Sequence, residues 1–428
     1  MGSKIIRIIP FIILAFLPVK SVLATNGLNL LGFGTESMAM AGADIAVARD
    51  TFALNINPAG LAQIEHSRLD QYAAVAYAFD YSHNDAFNEN TKTSNKHAYL
   101  ADLGYVKRFS KSLTAGFGLF AQGGAGNKFR NLNTAFGTRD DLGVTFAIAR
   151  IIPGLAYAVN DKLSLGLSLL LTRSTLEQEV FPDTSFTDPG NTLPPFFGFH
   201  LKDASTLRPG IKAGVMYKPG KSLTLGLTYT SKVTLKLKDG HANVNLSAIG
   251  LDKVRYRNAS ASGIDQPEEL GIGAAWQVTN KLLLAAELNW INWSDAVKRS
   301  SLKLKDPDNA TAPPVLEQSM NLNWRDQYVV ALGAAYDWND RLTLRGGFNY
   351  GRNPVPANTI NPLLAAIAKY HITTGLSYQL TPHWKAGTAL EYQLKTSQNY
   401  TNQQLPFGAK SKETLHMMSL HFMVSYIW

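Results

Sequence analysis

Side chains that commonly perform covalent or metal chemistry are sparse in this chain. It has no cysteine and nine histidines, so a thiolate nucleophile, a thiolate metal site and a disulfide framework are excluded. The histidines form no metal-ligand spacing, and no P-loop, G-x-S-x-G or H-E-x-x-H motif occurs. GFGTES at 32–37 lacks the third glycine of a dinucleotide-binding loop and follows no predicted strand. We therefore expect no cofactor, no metal ion and no enzymatic activity.

The most informative pattern is a turn that recurs between alternating segments. Five copies share an aromatic residue, a turn rich in Asn, Asp, Pro or Gly, and a Leu or Trp six residues after the aromatic residue. They are YAVNDKLSLG (157–166), YKPGKSLTLG (217–226), WQVTNKLLLA (276–285), YDWNDRLTLR (336–345) and YQLTPHWKAG (378–387). Two alternating segments joined by so short a turn form a β-hairpin. The chain is therefore predicted to be a succession of antiparallel hairpins.

The alternating segments have the properties of strands that cross a membrane. They often run for 12–18 residues, whereas strands of globular proteins average about five or six. Their polar faces carry ionisable groups, namely Glu287, Arg345, Lys385 and Glu391, which a dry core would not accept unpaired. Aromatic residues cluster at the turns, as in the interfacial girdles of outer-membrane barrels. Apolar faces towards lipid and polar faces towards a lumen explain all three features.

The strand count is fourteen, an even number as expected for a single-chain bacterial barrel. The predicted strands are 67–83, 96–109, 112–124, 143–159, 162–178, 201–218, 221–238, 266–278, 281–304, 322–338, 341–352, 368–380, 383–398 and 412–428. The last strand alternates up to the terminal aromatic Trp428, a feature of outer-membrane barrels. The predicted fold is an all-β, 14-stranded antiparallel transmembrane β-barrel. Short turns should face the periplasm, and the long connections 179–200, 239–265, 305–321 and 353–367 should face outward.

Residues 1–24 have the composition of a cleaved signal peptide. Lys4 and Arg7 precede a short apolar stretch, and Ala24 ends a suitable cleavage site; a retained anchor is the alternative. The formal net charge of +9 is scattered along the chain, so a nucleic-acid partner is not expected. The predicted organisation is a signal peptide at 1–24, an N-terminal hatch or plug at 25–65, and the barrel at 66–428.

The segment before the first strand does not alternate. It is rich in Ala and Gly, has helix-start residues before Met38, and ends in the turn Asn57-Pro58-Ala59-Gly60. Pro58 fixes its own φ and biases Asn57 away from helix, while the Asn57 amide favours the turn. About forty such residues ahead of a barrel suit burial inside its lumen. A plug anchored at this turn is one interpretation, and a merely structural hinge is the other.

Two stretches resemble the FadL/TodX (OMPP1) family of outer-membrane transporters of long-chain fatty acids and other hydrophobic compounds. They are GFGTESMAMAGADIAVARDTFALNINPAGLAQI (32–64) and NWRDQYVVALGAAYDWNDRLTLRGGFNYGRNPVP (323–356). The resemblance implies a monomeric fourteen-strand barrel with an N-terminal hatch. It implies passive capture of hydrophobic molecules at an extracellular groove, binding inside the barrel, and lateral release into the membrane beside a kink in the third strand. Other expected partners are outer-membrane lipid, lipopolysaccharide and the barrel-assembly machinery.

The kink is expected at Gly123, Gly124 and Gly126, since glycine inside a strand marks a bulge or bend; a loose loop without an opening is the alternative. Fatty-acid members of the family place cations in the inner pocket, and the corresponding positions here, near Gln178 and Met320, are uncharged. Arg173 and Arg325 are nearby substitutes, although a shift of one residue along a strand reverses the facing.

The candidate ligand contacts are Phe33, Met38, Met40, Phe120, Arg173, Gln178, Met320 and Arg325. The absence of pocket cations leaves a channel for neutral aromatic hydrocarbons as an alternative within the family. A general porin and an outer-membrane lipid enzyme, the latter using His371, His416 or His421, are further alternatives. The porin would need an unplugged lumen and the enzyme a serine joined to a histidine by a motif. The stretch at 356–371 also suggests a short amphipathic helix on the outer side.

Overall fold

Fourteen antiparallel strands form one closed barrel in the computed structural model, which describes residues 26–47, 50–188, 190, 194–406 and 409–428. The predicted signal peptide lies outside these residues. The strands are β1 (Arg68–Asn84), β2 (His97–Arg108), β3 (Leu113–Asn133), β4 (Arg139–Ala158), β5 (Leu163–Phe186), β6 (Phe196–Tyr217), β7 (Leu223–Thr230), β8 (Glu269–Gln277), β9 (Leu282–Ile291), β10 (Gln327–Asp337), β11 (Leu342–Gly351), β12 (Tyr370–Gln379), β13 (Trp384–Tyr400) and β14 (Ser411–Ile427). The predicted number and order of barrel strands are confirmed.

Closure is made between the first and last strands. Each strand pairs with the next in the chain, and β14 pairs with β1 from Arg68↔Ile427 to Asn84↔Lys412. Beyond this ladder the Trp428 N–H donates to the Ser67 carbonyl at 3.0 Å. A closed ladder leaves no sheet edge unpaired in hydrocarbon, which is the condition for a spanning sheet.

The two faces of the barrel wall differ as the alternation predicts. On β5 the side chains of Leu165, Leu167 and Leu169 are more than two-fifths exposed, whereas Ser168 and Thr172 are fully buried. The apolar face therefore points outward and the polar face points into the lumen. No helix among the described residues is long and apolar enough to cross a membrane.

Strand boundaries differ from prediction mainly at the long-loop end. The predicted strand 281–304 is two strands, β9 and a strand at Arg299–Pro307, separated by a short helix at Trp293–Ala296. Arg299–Pro307 joins Leu237–Asn245, Lys253–Ser262 and Val315–Asn321 in a ladder beyond the barrel, so the connections 239–265 and 305–321 are largely strand. Thr91–Lys92 adds a two-residue strand beside β1. β3 extends to Asn133 and β5 to Phe186, beyond their predicted ends at residues 124 and 178. The alternation of apolar and polar residues is weaker there, so the sequence does not reveal the extension, but the hydrogen bonds to the neighbouring strands continue.

The N-terminal segment, residues 26–64, lies inside the barrel. Its elements are helix α1 (Gly34–Ala39) and 3₁₀ turns at Thr51–Leu54 and Pro58–Gln63. Helix α1 contacts β11 to β14, and the turns contact β2 to β6, so the segment spans the lumen from wall to wall. Glu36 on α1 pairs with Arg345 at 2.9 Å and with Lys385, and Glu287 accepts the backbone N–H groups of Asp44 and Ile45 at 2.9 and 2.8 Å. The lumen is therefore plugged.

The Asn57 turn is a further attachment of this segment to the wall. The Asn57 side chain accepts from the Ala59 N–H at 3.1 Å and donates to the carbonyls of Ile45 at 2.8 Å and Val215 at 3.3 Å. Gly166 on β5 and Gly214 on β6 face this turn, and a Cβ at either position would overlap backbone or side-chain atoms of residues 57–59. The turn fits because the wall offers only glycine at these two positions.

We expect Gly214→Ala to destabilise the folded barrel by about 1–3 kcal/mol, the cost of inserting atoms into a packed site. Gly220→Ala is the matched control, because a Cβ at Gly220 meets no atom within 4 Å. The measurement is the temperature at which the purified barrel converts from its folded to its unfolded electrophoretic mobility. Equal transition temperatures for the two variants would show that the Asn57 turn is not closely packed against Gly214 on β6.

Candidate ligand cavity

An apolar cavity of about 130 Å³ lies at the long-loop end of the barrel. Its walls come from β4, β5 and the start of β6, from the ladder beyond the barrel, from residues 404–406 between β13 and β14, and from the connection between β11 and β12. That connection, residues 352–369, is called the inserted loop below. The apolar lining residues are Leu142, Val144, Phe146, Leu176, Val180, Phe181, Phe196, Phe199, Leu237, Ala261, Ile264, Leu302, Met320, Leu322, Leu363, Leu364, Leu405 and Pro406.

The cavity lining is uncharged throughout the described residues. Its polar members are serine, glutamine and asparagine side chains, among them Gln178, Gln318, Asn361 and Gln404. A carboxylate transferred here would lose its hydration without meeting a cation, which costs several kcal/mol. An apolar cavity of roughly 150 Å³ is enough for benzene in another protein. Size and chemistry both suit an uncharged hydrophobic group.

Two of the predicted ligand contacts, Gln178 and Met320, line this cavity. Arg173 and Arg325 do not. Arg173 is exposed on the outward face of β5, and Arg325 is exposed just before β10. The expectation that these arginines replace the missing pocket cations is therefore wrong. For Arg173 the reason is strand parity, since inward and outward positions alternate, whereas Arg325 lies in the connection before β10 and outside any strand.

The remaining apolar candidates belong to the packing of the N-terminal segment. Phe120 packs against Phe52 with ring centroids 5.5 Å apart, Met38 contacts Leu31 and Ala389, and Met40 packs on the small residues of β8 to β10. Phe33 lies on a second, polar cavity. These four residues therefore hold the plug in place, and none of them contacts the apolar cavity.

The sequence predicted only part of the structure of the inserted loop. The predicted amphipathic helix is absent from it, and the loop contains a 3₁₀ turn at Pro362–Leu364. Its side chains are buried inside the mouth of the barrel at the long-loop end, where Asn361, Leu363 and Leu364 line the cavity; Ile360 and Ile367 are fully buried. The run of apolar residues at 363–368 could have predicted this burial, because a connection exposed to water would not need them.

The polar cavity, of about 90 Å³, lies between the N-terminal segment and the wall. Lys212, Glu269 and Glu287 line it together with Asp44. Burial raises the pKa of Asp44 well above its usual range, and the neighbouring Glu287 carboxylate adds to this effect. Lys212 lies five residues from the short-turn end of β6, whereas the apolar cavity touches the opposite end of that strand. The lumen thus contains an apolar cavity at the long-loop end and a charged cavity nearer the short-turn end.

The predicted kink in β3 coincides with a break in pairing. The register of β3 with β4 shifts between Ala121 and Gly123, and Gly123 and Gly124 have φ values of +152° and +140°. The ladder between β2 and β3 runs only from Arg108↔Thr114 to Leu103↔Leu119. Within the described residues, 97–102 of β2 pair with β1 but have no ladder partner on β3. Gly126 and its neighbours remain in β3, so this stretch is not a loop.

The bulge is covered from inside the barrel by the start of the N-terminal segment. The Gly124 N–H donates to the Leu28 carbonyl at 3.0 Å, and Asn29 forms a β-bridge with Gly123. A Cβ at Gly123 would overlap the Leu28 carbonyl oxygen, and a Cβ at Gly124 would overlap that of Phe146. The backbone therefore requires glycine here, both for conformation and for close approach.

These features define a class of protein: a closed fourteen-strand antiparallel β-barrel with a plugged lumen. A family model described as outer membrane protein transport protein (OMPP1/FadL/TodX) matches residues 21–425. The chain belongs to this family. Members of the family are transport channels.

The chain is 24% identical over 353 residues to outer membrane protein P1 of Haemophilus influenzae, covering 72% of each chain. It is 22% identical over 254 residues to the long-chain fatty acid transport protein of Salmonella typhi, covering 55% of this chain and 57% of that one. The match to the 47 kDa outer membrane protein of Pasteurella multocida spans half of each chain at 24% identity. The structure of the Pseudomonas putida toluene transporter TodX superposes with a TM-score of 0.76 at 20% identity, covering 94% of this chain and 99% of that chain.

We expect a cation placed in the cavity to change its ligand preference. Gln178→Arg should strengthen binding of laurate relative to its methyl ester by about tenfold, since a charge-assisted hydrogen bond contributes roughly 1.5–3 kcal/mol. Gln178→Met is the uncharged control. The measurement is displacement of a fluorescent hydrophobic probe from the purified protein. An unchanged preference in Gln178→Arg would mean that position 178 does not face the ligand.

Proposed function

We propose that this protein carries uncharged hydrophobic molecules passively across the outer membrane and releases them sideways into the bilayer beside β3. The observation that carries the proposal is the uncharged apolar cavity above a charged, plugged lumen. Neutral hydrocarbons and the acyl chains of fatty acids both fit this chemistry. The carboxylate of a fatty acid has no cation to meet in the described lining, so neutral ligands, including aromatic hydrocarbons, fit best.

The direction of release follows from the free energy of apolar burial. A hydrocarbon gains about 0.8 kcal/mol for each CH₂ group removed from water. Continuing towards the periplasm would bring the molecule past Lys212, Glu269 and Glu287 and then into water. Moving through the β2–β3 break leads into the bilayer core, where that gain is kept. A concentration gradient is then sufficient to drive transport.

The N-terminal segment is the hatch of this proposal, attached at the Asn57 turn and at the β3 bulge. Fatty-acid transport is the second candidate function, and the name of the Salmonella typhi relative favours it. We further propose that the protein works as a monomer without enzymatic activity, among outer-membrane lipids and lipopolysaccharide, after insertion by the barrel-assembly machinery.

Uptake of labelled toluene and labelled oleate by intact cells with and without the protein tests this function. We expect the protein to raise toluene uptake more than oleate uptake, because only oleate carries a charge. A reversed order would support the fatty-acid candidate. Equal uptake of both compounds in the two strains would contradict transport altogether.

Replacing the bulge glycine tests the lateral route. Gly124→Val places a β-branched side chain where φ is positive and where Phe146 blocks the space, so we expect a rearranged bulge and uptake lowered by about tenfold, equivalent to 1.4 kcal/mol. Gly346→Val is the matched control, because a Cβ in that β11 position meets only the Thr373 carbonyl, at 3.7 Å. Both variants should still show heat-modifiable mobility. Normal uptake by an assembled Gly124→Val barrel would argue against release at the bulge.

A further inference from the structure

The inserted loop lies between the ligand cavity and the β3 bulge. On one side, Asn361, Leu363 and Leu364 line the apolar cavity. On the other side, Leu364, Ala365 and Ala366 line a small cavity of about 30 Å³ whose opposite wall includes residues 124–126 of the bulge and residues 27–28 of the N-terminal segment. Leu364 therefore contributes to both cavities and forms part of the wall between them.

Two polar side chains fasten this part of the loop to the barrel wall. Asn127 on β3 donates from its amide nitrogen to the carbonyls of Pro362 at 2.9 Å and Leu363 at 3.3 Å. Tyr81 on β1 donates to the Pro362 carbonyl at 3.1 Å and accepts from Asn127 at 2.7 Å. Both side chains are buried. The position of the loop is thus tied to β3 at a point one residue past Gly126.

The loop has little regular structure of its own at this point. After the 3₁₀ turn, the Ala366 N–H donates to the Leu364 carbonyl and the Ile367 N–H to the Ala365 carbonyl, each at 2.9 Å and across only two residues. Such tight turns hold the chain locally and join it to no neighbouring strand. Thr359 and Ile360 are held separately, by hydrogen bonds to Leu322 and Asn402. Residues 362–366 can therefore shift when the contacts of Asn127 and Tyr81 break, without disrupting any ladder of the barrel.

We infer that Leu364 is a specificity-determining residue that limits the size of the molecules passing from the ligand cavity to the β3 bulge. Asn127 and Tyr81 are positioning residues that hold it in place. This inference rests on the proposed function, since it concerns the step between binding and lateral release. It adds to the route a partition that is made by the inserted loop, which is distant in sequence from the N-terminal segment.

The test compares two neutral aromatic hydrocarbons of different size, labelled toluene and labelled phenanthrene. In intact cells, Leu364→Ala is expected to raise the ratio of phenanthrene to toluene uptake by about fivefold, because a shorter side chain widens the shared wall. Leu363→Ala enlarges the main cavity alone, so it should change uptake of both hydrocarbons by the same factor. Leu380→Ala, at an exposed outward position, is the control for the substitution itself. An unchanged ratio in an assembled Leu364→Ala barrel would overturn the inference.

A labelling measurement gives a readout that does not depend on transport. Because the chain has no cysteine, Ala366→Cys places a single thiol in the small cavity. Its reaction with pyrene maleimide added outside intact cells should become about fivefold faster when Asn127→Ala is added, since losing a hydrogen bond of roughly 1 kcal/mol shifts a two-state opening by that factor. Leu364→Ala should also make it faster, because it removes apolar bulk from the wall of the same cavity. Tyr81→Phe, which loses one bond to the loop, should lie between Asn127→Ala and the parent.

The two measurements separate this inference from the proposed function. If the wild-type protein raises uptake of neither hydrocarbon, the proposed function fails, whereas faster thiol labelling in the Leu364 and Asn127 variants still supports the partition. If wild-type uptake is high but neither the uptake ratio nor the labelling rate changes in the variants, the partition is wrong and the transport proposal stands.

Discussion

The structure depends on one constraint: every backbone N–H and C=O group in the hydrocarbon must have a partner within the protein. The pairing of β14 with β1 meets this constraint by closing the sheet. Closure fixes the alternation of faces, and a fourteen-strand barrel is wide enough to leave a lumen. That lumen must then be filled or shaped if the protein is to favour one class of molecule over another.

Two segments that are distant in the sequence, the N-terminal segment and the inserted loop, fill different levels of the lumen. The N-terminal segment is held by apolar packing around Phe52 and Met40. It also carries the buried charged contacts of this layer, among them those of Glu36 and Glu287. The inserted loop brings apolar side chains to the long-loop end. A hydrophobic molecule entering from outside therefore meets a favourable cavity first and an unfavourable charged layer next. This order of environments is the physical basis of the release beside β3 that we propose.

The bulge is where the constraint is relaxed. The β2–β3 ladder ends at Leu103↔Leu119, and the Ala121 N–H next to the break donates to the Asp102 carboxylate at 2.7 Å. On the inner side, the Leu28 carbonyl accepts the Gly124 N–H. At the open section of the wall, these contacts with a side chain and with the N-terminal segment take the place of hydrogen bonds to a neighbouring strand. Such contacts can break and re-form with other partners. Opening a strand ladder in hydrocarbon would instead leave backbone N–H and C=O groups unpaired, at a large cost in free energy.

The sequence by itself determined the barrel, its fourteen strands, their outward faces, and the glycines of the β3 bulge. Period-two alternation and short turns act locally, so they can be read along the chain. The cavity was decided by the tertiary structure. Gln178 and Met320 were found from the family register. That register does not give the facing of Arg173, which has the outward parity of Leu165, Leu167 and Leu169 on the same strand. The roles of Leu364 and Asn127 arise from contacts between residues more than two hundred positions apart, and no local pattern encodes such a contact.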